Sequence, residues 1–147
     1  MKLLLFLLVL TLPATAFAQA TYDLSCHNVA KIRIVRVKAA GWQIDSPDGF
    51  FHALSLELKP EAAKGFGILI KTAPLVRLPH KGSNLLKEDI TITASGKPLR
   101  NDDPAMTGLS EDTVTIPMIR EQDAFEAARS VCPALVPSKV LLDGQWE

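Results

Sequence analysis

Apolar and polar residues alternate along four stretches of the chain, and this pattern predicts strands with one buried face. The stretches are 29–37, 51–58, 89–93 and 113–116. In the first of them Ile32 and Ile34 face one way and Arg33 faces the other. Two weaker patterns predict a short strand at 42–44, in a hairpin with the first strand, and an edge strand at 140–142.

Two other segments repeat apolar residues every three or four positions, which predicts amphipathic helices over 60–73 and 121–132. Pro60 opens the first helix, at a position where its missing N–H costs nothing. In the second helix Glu121 lies in the first turn and Arg129 in the last turn, which suits the helix dipole. Both helices therefore have sequence signals at their ends as well as an apolar stripe.

The order of these elements predicts an α+β domain with a ferredoxin-like fold, in which an antiparallel sheet carries two helices on one face. The segments 74–88 and 99–112 are predicted to be irregular, since they lack a clear apolar period. Pro117 cannot donate a hydrogen bond to a neighbouring strand, so the strand at 113–116 should end there or lie at an edge.

The N-terminal residues 1–18 have the pattern of a secretory signal peptide. Lys2 precedes an apolar run, and small residues stand at the two positions that a signal peptidase reads before Gln19. The run is shorter than the ~20 apolar residues that a membrane anchor needs. We therefore expect one exported domain over 19–147, and the short signal favours a bacterial periplasm.

Charge is balanced along the chain, which has 16 basic and 16 acidic residues. A chain without net charge lacks the strongly basic surface that attracts nucleic acid or anionic membranes, so we predict neither as a partner. No second apolar stretch is long enough to span a bilayer. The expected partner is another protein.

Two cysteines are present, Cys26 and Cys132. One pair in an exported chain predicts a disulfide bond. This bond would tie the N-terminal arm to the end of the closing helix. The alternative is a pair of free, buried thiols.

Catalytic and metal-binding motifs are not evident. Neither a G-x-S-x-G elbow nor a glycine-rich phosphate loop occurs. Cys26 and the histidines are scattered over separate segments without the spacing of a zinc site. Four carboxylates lie within 102–112, but they lack the spacing of a calcium loop, so a solvated acidic loop is favoured. We predict no catalytic residue, no metal and no cofactor.

Aromatic residues are the candidates for a binding surface, because such side chains carry much of the binding energy at interfaces. Trp42, Phe50 and Phe51 flank a turn at 46–49, and Trp146 lies in the C-terminal tail. The alternative is that Trp42 and Phe51 simply cover the core.

Several motifs within residues 51–132 resemble the periplasmic head subdomain of the SecD/SecDF protein-export family. LSLELKPEAAKGF, from Leu54 to Phe66, is similar to its strand–helix segment. ITITASGKPL, from Ile90 to Leu99, is similar to its strand and the turn that follows. The segment from Glu111 to Val131, with AFEAA at 124–128, resembles its last strand and closing Ala-rich helix.

The resemblance has clear departures. Ser95 stands where that family has Asp before Gly-Lys, and residues 74–88 look like an insertion. The membrane helices that make those proteins proton-driven are absent from this sequence. The resemblance therefore implies a fold and a habit of contacting other polypeptides, without implying export activity.

Three functions are compatible with these features. The first is a non-enzymatic periplasmic binding or interaction module that contacts polypeptides or envelope proteins. The second is a secreted inhibitor or immunity-type protein, which small size and one disulfide permit equally. The third, from another class, is a small periplasmic hydrolase.

Overall fold

The computed structural model describes residues 20–38, 50–77, 86–99, 107–118 and 120–142. Its helices and strands follow one another along the chain as short elements. They are β1 (Ala20–Leu24), β2 (Val29–Lys38), β3 (Phe50–Leu58), α1 (Pro60–Thr72), β4 (Leu75–Arg77), β5 (Leu86–Glu88), β6 (Ile90–Ala94), β7 (Lys97–Pro98), β8 (Gly108–Leu109), β9 (Thr113–Met118), α2 (Glu121–Val131) and β10 (Ser138–Leu142).

The described strands form three sheets. The largest has five strands in the order β10-β2-β3-β9-β8, and within it only β10 and β2 run parallel. A smaller sheet has the order β1-β6-β7, with β1 parallel to β6. The third is an antiparallel ribbon of β4 and β5.

One apolar face of the five-stranded sheet forms the centre of the core. Leu54 in β3 lies opposite Ile34 in β2 and Ile116 in β9, and all three side chains are buried. Because side chains alternate along a strand, every second residue counted from these three lies on the same face. From α2 the small buried residues Ala124 and Ala128 join the same core cluster, so the helix can lie close to the sheet.

The second part of the core joins α1 to the small sheet. Phe66 of α1 is fully buried, and its ring centroid lies 4.5 Å from that of Tyr22 in β1. Leu24 of β1 and Ile92 of β6 belong to the same cluster. The small sheet and both helices thus share one hydrophobic core with the five-stranded sheet.

The predicted ferredoxin-like fold, one antiparallel sheet with two helices on one face, is wrong. The helices lie within a residue or two of their predicted bounds, but the strands are divided among three sheets, two of which contain a parallel pair. The difference arises from β1, which lacks a strong sequence pattern and pairs with β6. Because β6 joins β1, it is absent from the large sheet, where β10 joins β2 instead.

Two irregular segments of the prediction also contain strands. The segment 74–88 holds β4 and β5, and the segment 99–112 holds β8. The strand predicted at 113–116 continues through Pro117 to Met118. Since β8 pairs only with Val114 and Thr115, Pro117 has a single neighbouring strand among the described residues, as a proline in a sheet requires. The strand predicted at 42–44 lies outside the described residues.

The predicted disulfide bond is confirmed. Cys26 and Cys132 are joined with Cα atoms 4.8 Å apart and a sequence separation of 106. Cys26 lies in the exposed loop before β2, whereas Cys132 directly follows α2 and is buried. Within the described ranges, no helix is long and apolar enough to cross a bilayer.

A hydrogen-bonded turn holds β1 against the hairpin of β6 and β7. The carboxylate of Asp23 accepts hydrogen bonds from the Thr93 hydroxyl at 2.7 Å and from the Gly96 backbone N–H at 2.8 Å. Ser95 and Gly96 have φ values of 52° and 73°, which suit a tight two-residue hairpin turn. The hydrogen bond from Thr93, and then that from Gly96, lowers the pKa of Asp23 below its ordinary value of 3.8.

We expect Asp23 to make stability depend on pH in the acid range. A carboxylate whose pKa is lower in the folded state stabilises the fold above its unfolded pKa, and that contribution is lost as pH falls through the folded pKa. Asp23→Asn keeps an acceptor oxygen but cannot titrate, so its unfolding free energy should fall less steeply below about pH 4. Urea unfolding over a pH series measures both slopes.

Thr93→Val is the matched variant, because it removes the larger of the two hydrogen-bond effects on the Asp23 pKa and leaves the carboxylate in place. It should flatten the same part of the pH profile. Wild-type and Asp23→Asn profiles of equal slope would contradict this assignment.

Candidate binding groove

A groove runs between α2 and the edge strand β10. The helix crosses the core face of the five-stranded sheet. It begins after β9, which lies next to the β8 edge, and the chain then forms β10 beside β2 at the other edge. Glu121, Phe125 and Arg129 repeat at every fourth position of α2 and line one wall. Lys139 of β10 lines the other wall, and the groove has a volume of about 390 Å³. We call this the α2–β10 groove.

A smaller cavity of about 280 Å³ adjoins the α2–β10 groove at the N-terminal end of α2. The two cavities share Glu121 and Lys139. The smaller one is further lined by Ile34 and Arg36 of β2 and by Val140 of β10. The groove therefore reaches from the flank of α2 to the core face of β2.

Opposite charges meet where the two cavities join. Lys139 forms an ion pair with Glu121 at 2.6 Å, and its Nζ lies 5.1 Å from the centre of the Phe125 ring. The hydrogen bond from Lys139 holds the pKa of Glu121 below its ordinary value of 4.5, with smaller contributions from the positive charges of Lys139, His52 and Arg36, while burial acts in the opposite direction. Glu121 is thus an ionised acceptor at neutral pH.

His52 lies on the core face of the sheet, near the first turn of α2. Its side chain is 3% exposed, and in register it lies between Arg36 of β2 and Met118 of β9. The Arg36 guanidinium stacks on the Phe50 ring at 3.6 Å. Such a cation–aromatic contact covers the ring and orients the guanidinium beside the smaller cavity.

The structure separates the two predicted binding aromatics that it describes. Phe50 and Phe51 are consecutive on β3, so their side chains lie on opposite faces of the sheet. Phe50 packs beneath Arg36, which lines the smaller cavity, whereas Phe51 packs against Val35 and Ala53 on the other face. Trp42 and Trp146 lie outside the described residues.

The residues of the α2–β10 groove were not predicted as a site from the sequence. Phe125 follows the apolar stripe of α2 and is only half-buried, because its ring lies at the edge of the helix–sheet contact. Lys139 lies in the strand predicted near the C-terminus, and nothing in the sequence shows that this strand lies beside α2. An amphipathic helix and an edge strand indicate a groove only once the tertiary structure shows that they are neighbours.

Of the histidines and acidic residues considered for metal binding, the ones that the structure describes are not brought together, and His80, Asp102 and Asp103 lie outside the described residues. His27 lies in the loop before β2, His52 lies near the start of β3, and Cys26 is in the disulfide. In the described part of the chain, no three histidine, cysteine or acidic side chains form a group that could hold a metal. Glu111 instead pairs with Lys71 at 2.6 Å.

A larger cavity, of about 440 Å³, lies on the other side of α2, beside the hairpin of β6 and β7. Its walls include Pro98, Leu99, Met118 and Ala127. The strand next to it, β7, spans only two residues, compared with five for β10. Because β7 is too short to pair with an extended chain, the α2–β10 groove is the better candidate for a polypeptide site.

Comparisons with protein-family models, with curated proteins and with solved structures find no match to this chain. The resemblance to the SecD/SecDF head subdomain therefore stays a prediction.

Proposed function

We propose that this protein is a non-enzymatic binding module of the periplasm that takes an extended segment of another polypeptide. The observation that carries the proposal is the position of β10. Within the described residues β10 pairs only with β2, so its outer edge is available for a further strand. An added strand gains main-chain hydrogen bonds from such an edge whatever its sequence.

The α2–β10 groove would receive side chains of the added segment. Phe125 offers an aromatic surface, and the pair of Glu121 and Lys139 offers hydrogen-bond acceptors and donors beside it. Binding sites of this kind take affinity from the backbone and selectivity from pockets that hold alternate side chains. The groove and the strand edge together therefore suit an extended chain better than a compact small molecule.

Export to the periplasm is part of the proposal. The disulfide between Cys26 and Cys132 is typical of proteins in oxidising compartments outside the cytoplasm. The predicted signal peptide at residues 1–18 and the resemblance to a periplasmic head subdomain support the same location. The resemblance also supports contact with polypeptides, and we propose no export activity from it.

Site-specific photocrosslinking in intact cells tests the proposal. A photoreactive residue at Gln122, which lines the α2–β10 groove, should form adducts with other polypeptides. The same residue at Glu61, which is 88% exposed on α1, is the control and should form few adducts. Phe125→Ala should lower the Gln122 adducts by about tenfold, as expected for loss of an aromatic anchor.

The adduct pattern also separates the alternative functions. One discrete adduct would identify a dedicated partner, as an inhibitor or immunity-type protein has, and a broad ladder would identify general polypeptide binding. Equal labelling at Gln122 and Glu61 would contradict the groove. Turnover of a cell-wall substrate that a single Asp or His substitution abolishes would contradict the binding function itself.

A further inference from the structure

Large exposed apolar side chains concentrate in one region of the described chain. Ile68, Leu75, Val76 and Leu86 are 65%, 57%, 39% and 57% exposed. They belong to the C-terminal half of α1 and to the ribbon of β4 and β5 that follows it in the chain. Exposed apolar residues that cluster in this way mark interaction surfaces more often than residues scattered singly do.

The strand register defines which side chains share a face of the ribbon. Leu75 lies opposite Glu88, and Arg77 lies opposite Leu86. Directly opposed residues, and residues two apart on one strand, lie on the same side of an antiparallel pair. These four residues therefore form one surface, which we call the ribbon face.

The ribbon face points away from the rest of the described molecule. Val76 and Lys87 are directly opposed on the other side of the ribbon. Lys87 Nζ donates a hydrogen bond to the backbone carbonyl oxygen of Thr107, beside β8, so this other side is the one directed at the domain. The leucines of the ribbon face are consequently left in water.

The charges on the ribbon face are self-complementary. Its two leucines lie on one diagonal of the four-residue surface, and Arg77 and Glu88 lie on the other. Neither Arg77 nor Glu88 takes part in an ion pair within the described chain. A surface with one positive and one negative corner can therefore be neutralised by a copy of itself.

A two-fold axis along the line from Leu75 to Leu86 satisfies both diagonals. Rotation about this axis places each leucine against the same leucine of a second copy. The same rotation places Arg77 against Glu88 of the second copy, and Glu88 against Arg77 of the second copy, as an isologous interface requires. The two ribbons would cross at a steep angle, which is one of the packings that sheets adopt.

We propose that the ribbon face is the interface of a homodimer of this chain. An isolated two-stranded ribbon is marginally stable in water, and covering its leucines removes apolar surface from solvent in both copies. The surface is small compared with the ~800 Å² per partner of a standard interface, so the dimer is weak and its population depends on concentration. The proposal does not depend on the α2–β10 groove.

Sedimentation equilibrium of the purified protein over a concentration series tests the dimer. The wild type should show a reversible monomer–dimer equilibrium. Leu86→Asp places a charge in the centre of the interface and should raise the dimer dissociation constant by about tenfold or more. Val136→Asp is the matched control, since Val136 is 90% exposed and lies outside the ribbon; it should leave the equilibrium unchanged.

Charge reversal tests the symmetry of the interface. Arg77→Glu puts like charges together and should weaken the dimer by about tenfold. Combining Arg77→Glu with Glu88→Arg restores opposite charges across the axis and should recover most of the wild-type affinity. A circular dichroism spectrum checks that each variant is folded. A wild type that stays monomeric at millimolar concentration, or a folded double variant as weak as Arg77→Glu, would overturn the proposal.

Discussion

Phe66→Ala should lower the free energy of unfolding by about 3–5 kcal/mol. The Phe66 side chain is fully buried, at 0% relative exposure, and its ring packs against that of Tyr22. Alanine loses the transfer free energy of the ring and leaves a cavity that the neighbouring strand and helix can fill only in part. Because Phe66 joins α1 to β1, the loss should affect the whole domain. Urea unfolding followed by circular dichroism measures it.

The matched control lies two residues further along α1. Ile68 is 65% exposed, so Ile68→Ala should change the unfolding free energy by less than about 0.5 kcal/mol. Both variants are compared in dilute protein, where the dimer dissociates. Equal effects of the two substitutions would show that Phe66 does not occupy the core position described.

Titration of the single tyrosine gives a second measurement on the same variant. Burial raises the pKa of Tyr22 above its ordinary value of 10.0, although a hydrogen bond with Asn28 acts in the opposite direction. Since Tyr22 is the only tyrosine in the chain, the phenolate absorbance reports on it alone. Phe66→Ala admits water beside the ring, so the Tyr22 pKa should move back towards its ordinary value.

Removal of the disulfide should lower the free energy of unfolding by about 2–5 kcal/mol. The bond closes a loop with a sequence separation of 106, and the chain-entropy model assigns about 4.7 kcal/mol to a loop of about 100 residues. Structure that persists in the unfolded chain reduces this figure. The double variant Cys26→Ala/Cys132→Ala, compared with the wild type in urea, measures the loss.

A reductant provides the control for the disulfide. It should destabilise the wild type and leave the double variant unchanged, since that variant has no bond to reduce. Cys26 lies in an exposed loop, so the reductant has access from that side. Two thiols that react with an alkylating agent in unreduced, denatured wild type would contradict the bond.

The local sequence patterns predicted most of the individual elements well. Pro60 and the apolar stripe behind it placed α1, and alternation in 29–37 and 51–58 placed β2 and β3. These patterns depend on residues only a few positions apart, which share one turn of helix or one stretch of strand. The strands β1, β4 and β5 were not predicted, because they are short and their alternation is no stronger than that of a loop.

The candidate site was much less predictable than the elements. The aromatic residues at 50 and 51 were chosen by type, yet they lie on opposite faces of β3. Phe125 lies beside the apolar stripe of α2, and its contact with the Lys139 side chain depends on where β10 enters the sheet. Residue type indicates what a side chain can bind, and only its neighbours determine whether it is available.

By itself, the sequence determined the two helices, the main strands and the pairing of the cysteines, since a chain with two cysteines allows only one intramolecular bond. Tertiary structure alone decided which strands pair. Asp23 and Thr93 are 70 positions apart, yet their hydrogen bond helps to join β1 to β6, and β10 reaches β2 only after α2 has crossed the sheet. Strand partners depend on hydrogen bonds and burial between residues distant in sequence, whereas a hydrophobic period is a local property that leaves those partners open.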